Sequence, residues 1–143
     1  MNGGPACRSV RLNHPDGGYG FKLEDKGRTF VFLPDNELGF HHPNGPGFEA
    51  QVEFCRGADL LFHDAQYTDA EYQRTRGWGH STYADALRLA TAAGVKRLGL
   101  FHHDPGRTDD DLDRQLEWCR QQLRNANSPV ECFACAEELV IEL

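Results

Sequence analysis

The hydrophobic pattern divides this chain into a β-rich first third and a remainder in which short strands and helices alternate. Ser9 to Leu12 alternates in character and runs into the turn cluster His14 to Gly18. Tyr19 to Leu23 resumes a strand, and Asp25-Lys26-Gly27 is a hairpin signal. Thr29 to Leu33 is an almost unbroken apolar run, which suits a strand buried on both faces, and Pro34 to Glu37 ends it abruptly. Between Gly39 and Gly47 the prolines and glycines leave only a loop. Phe48 to Cys55 then reads as a short helix closed by Gly57, and Asp59 to Phe62 as a second buried strand stopping at His63-Asp64.

Thr68 with Glu71 three residues later is a capping-box signature for a helix from Thr68 to Arg74. Ser81 is the N-cap expected for the next helix, whose Ala84, Leu87, Ala90 and Ala93 recur at helical spacing until Gly94. Val95 to Phe101 reads as a strand. Asp109 to Asn125 reads as an amphipathic helix, with Leu112, Leu116, Cys119 and Leu123 on one stripe and three aspartates at its N-terminus. Val130 to Ala134 and Glu138 to Leu143 read as closing strands. No repeat, low-complexity linker or domain boundary interrupts residues 1–143, so a single α/β domain is expected.

Composition narrows the function classes. No apolar run approaches 18 residues, so no membrane span is predicted, and no apolar stretch follows the first residues as a signal peptide would require. The expected compartment is the cytoplasm. A net charge of −7 argues against nonspecific nucleic-acid binding, although metal ions can still supply local positive charge for a phosphate ester. Five cysteines at irregular spacing read as reduced thiols. Cys132 and Cys135 have C-x-x-C spacing, but on a strand residues three apart point to opposite faces, so they read as buried small hydrophobes.

Several apolar segments stop on residues that bind metal or move protons: His14, Asp35, Asp64 and His102. Such strand ends form one rim of a sheet, where ligands bind in α/β folds. Unpaired Asp and His there would be costly without metal or hydrogen bonds. The segments His14 to Gly20, Phe32 to Glu37, Asp59 to Ala65, Gly79 to Thr82 and Leu100 to Pro105 resemble, in order and at compatible spacing, the later motifs of the metallo-β-lactamase superfamily. The branch resembled contains ribonuclease Z-like and cyclic-phosphate phosphodiesterases, in which His-Ser-Thr opens a helix.

The resemblance implies the C-terminal half of an αββα sandwich, a mixed sheet with helices on one face. It implies metal-dependent, phosphodiesterase-type hydrolysis. His14 and His102 would be metal ligands and Asp35 the carboxylate bridging two ions. Asp64 and His80 would pass a proton to the leaving group. Zinc is the implied metal, with manganese or iron as alternatives. Each residue also has an ordinary reading: a turn at His14, Asp35 or Asp64, and a pre-helical position at His80. His41 and His42 sit in the Pro/Gly loop and are expected in solvent. Tyr67, Tyr72, Trp78 and Trp118 read as packing or rim residues.

The hallmark H-x-H-x-D-H of the family does not occur in this sequence. The expectation is therefore a truncated domain with an incomplete metal site, weakly active or inactive alone. Its substrate would be a small-molecule or nucleotide phosphoester. An apolar sheet face around Phe30, Phe32, Leu60 and Phe62 would lack a cover, so a homo-oligomer, or a partner supplying the other half, is expected. The competing reading is a half-domain that binds a partner without turnover.

Overall fold

A computed structural model describes residues 3–143; Met1 and Asn2, the start of the stretch read as carrying no export signal, lie outside the described residues. The order of elements is β1 (Ala6–Arg11), β2 (Tyr19–Asp25), β3 (Arg28–Leu33), α1 (Phe48–Cys55), β4 (Leu60–Asp64), α2 (Asp69–Thr75), α3 (Tyr83–Ala93), β5 (Arg97–Phe101), α4 (Asp109–Asn125) and β6 (Glu131–Ala134). The six strands form one mixed sheet in chain order. β1, β2 and β3 pair antiparallel, and β3 through β6 pair parallel. The β2–β3 hairpin turns at Lys26 and Gly27, both at positive φ, as a tight primed turn requires.

One face of the sheet is closed. Val31, Leu33, Leu61, Leu98, Leu100 and Cys132 share a core with Val52 and Cys55 of α1, Leu87 and Ala90 of α3, and Cys119 and Leu123 of α4. The other face carries an aromatic ladder. Phe30 meets Phe62 edge-on at 5.1 Å between ring centres, Phe32 meets Phe101 at 5.1 Å, and Phe62 meets Phe133 at 6.0 Å. Gly99 makes room for this, because a Cβ there would meet the Phe62 ring at 2.7 Å. Toward the β1 edge the same face is open, with Phe21 42% and Leu23 45% exposed.

Several sequence expectations need correction. β3 is buried on one face only: Val31 and Leu33 are enclosed while Phe30 and Phe32 stay half-exposed, because no helix or strand among the described residues covers their side. Leu60 is buried rather than exposed. Thr82, not Ser81, is the N-cap of α3, its side chain accepting from the Asp85 amide. Residues 138–143 form no strand; Glu138 sits at positive φ and leaves the extended path. The capping box of Thr68 and Glu71 is present on α2, and α4 spans the expected residues. No helix among the described residues is long and apolar enough to cross a membrane.

Candidate metal centre

The parallel strands β3, β4 and β5 end at the same rim, and each delivers a polar residue there. Asp35 follows β3, Asp64 is the last residue of β4, and His102 follows β5. His80 comes from the turn before α3. Asp35, Asp64, His80 and His102 each offer one ligand atom, and these atoms lie within 4.8 Å of one another. The structure thus brings together four of the five residues singled out from sequence. Asp64 and His80 belong to the cluster as closely as the expected ligands Asp35 and His102, while the third expected ligand, His14, is not among the four.

The hydrogen bonds give these four residues different capacities. His102 sits at φ 59°, an uncommon backbone conformation for a non-glycine residue and one found at functional sites. Its Nδ1 donates to Gln66 Oε1 at 3.1 Å, and its Nε2 lies 2.9 Å from Asp35 Oδ1. A histidine whose Nδ1 is held by an acceptor is set to ligate through Nε2. The neighbouring His103 turns away and donates to the Cys135 carbonyl at 2.8 Å. Asp35 keeps a part-exposed carboxylate.

Asp64 is fully enclosed and accepts three bonds: from Ser81 N at 3.0 Å, Asn36 N at 3.3 Å and His80 Nδ1 at 2.7 Å. Burial pushes its carboxyl up to about 6, against the pull of His80 and Ser81. For His80, burial opposes the charged ring, but the hydrogen bond and charge of Asp64 outweigh it and hold the imidazole above its ordinary value. With Nδ1 committed to Asp64, the free Nε2 is the atom available to a substrate or metal. The His80 and His102 rings lie almost parallel, 4.6 Å apart.

His14 stands just outside the four. Its ring centre is 5.5 Å from that of His80, and its Nδ1 accepts from the Asp16 amide at 3.1 Å. Burial and the nearby His80 lower its pKa. Gly79, at φ 105°, packs its bare Cα against this ring, so any side chain at position 79 would displace His14.

The sequence did not reveal the supporting polar network. Asn36 Oδ1 accepts from Asn13 N, and Asn36 Nδ2 donates to Gln51 Oε1 and to His63 Nε2 at 2.9 Å. His63 Nδ1 donates to the Asp64 carbonyl at 2.6 Å, and burial lowers its pKa to about 4, so it is neutral. Ser81 Oγ donates to the Asn36 carbonyl and accepts from Leu38 N, which explains why it does not cap α3. His42, expected in solvent, is enclosed and bonded to Glu37; only His41 is exposed. The buried partner was invisible locally because it depends on contacts with α2 and the 77–79 turn.

A mixed sheet with helices on one face, His and Asp residues at the ends of parallel strands, and a His-Ser-Thr turn together define a metallo-hydrolase type of fold and rim. The chain belongs to the family described as the Beta-lactamase superfamily domain, which matches residues 5–103. It is similar to ribonuclease Z of Brevibacillus brevis, 38% identical over 91 residues, covering 64% of this chain and 26% of that protein. It is also similar to ribonuclease Z of Pseudomonas putida, 48% identical over 85 residues, covering 52% and 27%. Among solved structures, the metallo-beta-lactamase fold protein YhfI of Bacillus subtilis superposes with a TM-score of 0.71 at 21% identity, covering 99% of this chain and 51% of that one. The short form of human tRNase Z superposes with a TM-score of 0.68 at 25% identity, covering 99% and 44%. The chain therefore spans about a quarter of the curated relatives' length and about half of these structures.

The donor set fits a metal ion. Two imidazoles and two carboxylates within one ion's reach suit zinc, manganese or iron, and do not choose sharply among them.

Proposed function

We propose that this chain supplies one half of a two-metal phosphodiesterase centre. The observation that carries the reading is the convergence of Asp35, Asp64, His80 and His102 within 4.8 Å at the sheet rim. A bound metal pair would supply a water of lowered pKa and positive charge opposite a phosphate. Asp35, with its exposed carboxylate oxygens, is the residue suited to bridge two ions. His102 would ligate through Nε2, and His14 would add a further nitrogen from the edge of the group. Zinc is the favoured occupant, with manganese or iron as alternatives.

The remaining residues handle the proton. Asp64 fixes the orientation and tautomer of His80, so that Nε2 faces outward. Protonated His80 then gives its proton to the leaving oxygen, a task suited to a histidine whose protonated ring is favoured by a neighbouring carboxylate. Asp64 has three hydrogen-bond donors on it, which favours this orienting role over that of a principal ligand. The ribonuclease Z relatives support a nucleotide or nucleic-acid phosphodiester as the substrate class.

Without H-x-H-x-D-H in the sequence, the other ligands would come from a second segment or partner. The open aromatic face is the surface suited to receive it. That face also favours a second reading, an interaction module without turnover.

The test is zinc titration calorimetry followed by hydrolysis of an aryl phosphodiester, with the chain alone and mixed with an H-x-H-x-D-H half from a relative. Weak zinc binding that falls about 100-fold in Asp35→Ala is expected. Turnover should appear only in the mixture. A mixture that assembles and binds metal without turnover would favour the interaction module.

A further inference from the structure

Glu37 is a fully buried carboxylate two residues beyond Asp35, and it is none of the residues assigned to the metal or the proton. An ionised carboxylate has about four acceptor positions. Here four donors fill them. Tyr72 Oη at 2.7 Å and Gly77 N at 2.6 Å donate to Oε1, while His42 Nε2 at 2.5 Å and Gly79 N at 3.0 Å donate to Oε2. The donors come from three segments: the 39–47 loop, α2, and the turn that leads into His80. Burial and the adjacent Glu37 carboxylate raise the Tyr72 pKa, so its hydroxyl stays a donor.

The backbone of the same residue grips a fourth segment. Glu37 N donates to the Asn13 carbonyl at 2.9 Å, and Asn13 Nδ2 donates to the Glu37 carbonyl at 2.5 Å. Asn13 precedes His14, and Gly79 precedes His80. Glu37 therefore ties down both residues that lead into the two rim histidines, and Gly79 in turn packs on the His14 ring.

We infer that Glu37 is a positioning residue for His14 and His80: its charge draws the 77–79 turn inward and so sets the His80–Asp64 pair. The function it serves rests on the phosphodiesterase reading; the positioning itself does not. A neutral isostere cannot replace it. In Glu37→Gln, one end of the side chain becomes an amide N–H₂ facing two N–H or O–H donors, which leaves donors unpaired in a buried site.

The experiment compares the metal-free parent chain with Glu37→Gln by nuclear magnetic resonance. Two readouts are taken: amide hydrogen exchange, and the downfield proton of His80 Nδ1–H bonded to Asp64. Exchange at Gly77 and Gly79 should speed up about tenfold or more, as expected for losing a charge-assisted hydrogen bond, while the amides of β3, β4 and β5 stay as slow as in the parent. The His80 signal should broaden or vanish. Two results would overturn the inference: a His80 signal unchanged while Gly77 and Gly79 exchange faster, or acceleration spread evenly over the strands. If Glu37→Gln does not fold, Tyr72→Phe removes one donor of four and should produce the same local pattern at smaller amplitude; an unchanged pattern there would also overturn it. Neither readout needs metal or turnover, so a failed hydrolysis assay would count against the phosphodiesterase reading alone.

Discussion

Strand β4 begins and ends beside a buried aspartate, and the two are treated in opposite ways. Asp59, just before the strand, receives Lys96 Nζ at 2.6 Å and Thr29 N at 2.9 Å, with Arg28 at 3.5 Å. The Lys96 hydrogen bond, helped by Thr29 and the cations, holds its carboxyl below the usual range. Asp64, at the other end, has no lysine or arginine on it, and burial pushes it up to about 6. One end of the strand stabilises its charge; the other keeps a charge the fold does not favour. Perturbed groups of the second kind gather at sites where chemistry is done. Four polar groups meeting at that same rim agree with the difference.

Three measurements test this contrast. The largest effect is expected at the Asp64 end. A folded pKa raised above its unfolded value means that the native state takes up protons first, so stability grows as pH falls through about 6 toward 4. The raised His80 acts in the same direction at higher pH, its contribution being present below the unfolded value and lost as pH rises. Asp64→Asn removes both. In urea melts of the metal-free chain, the parent should gain on this variant by on the order of 2 kcal/mol between pH 7.5 and 4.5. A difference independent of pH would mean that Asp64 is not strained.

Asp59→Asn should behave in the reverse sense. A depressed carboxylate contributes stability above its unfolded pKa, and that contribution is lost as pH falls through the folded value. The variant should be less stable than the parent by about 1–2 kcal/mol at pH 7, with the gap closing below about pH 4. Zinc affinity should not change. A drop in zinc affinity would join the two ends of the strand into one functional unit and end the comparison.

The smallest effect concerns the open face rather than either rim. Leu23→Glu places a charge on the exposed aromatic side without touching the core. Self-association, measured by sedimentation equilibrium, should weaken about tenfold or more, while the urea midpoint moves by less than about 0.5 kcal/mol in stability. A parent that stays monomeric at all concentrations would argue that the ladder of phenylalanines is content in water.

How much of this was readable in the sequence depends on how local the determining contacts are. The capping box of α2 and the full span of α4 were legible because caps and helical stripes act over three or four residues. Asp35, Asp64 and His102 were legible as rim residues because apolar segments end on them, a cue that also picked His14, which lies just outside the four; His80, two residues before the N-cap of α3, was legible only through the family resemblance. The one-sided burial of β3 was not, since Thr29 to Leu33 is apolar at both parities and only the absence of a covering layer separates the faces. Glu37 and His42 were missed for a related reason. The other groups that make Glu37 a hub, Tyr72, Gly77 and Gly79, lie 35 to 42 residues away in sequence. No local pattern announces such a bond.

Chain order and sheet order coincide from β1 to β6. Each strand can therefore be added at the growing edge, and none has to be inserted between two that are already paired. Assembly can proceed as a zipper, with a loop-closure cost that stays modest at every step. The rim cannot form in this stepwise way: Asp35, Asp64, His80 and His102 meet only once three strand ends and the turn before α3 are in place. During folding the scaffold should mature early and the rim last, with its four polar side chains brought together only when the sheet is complete through β5.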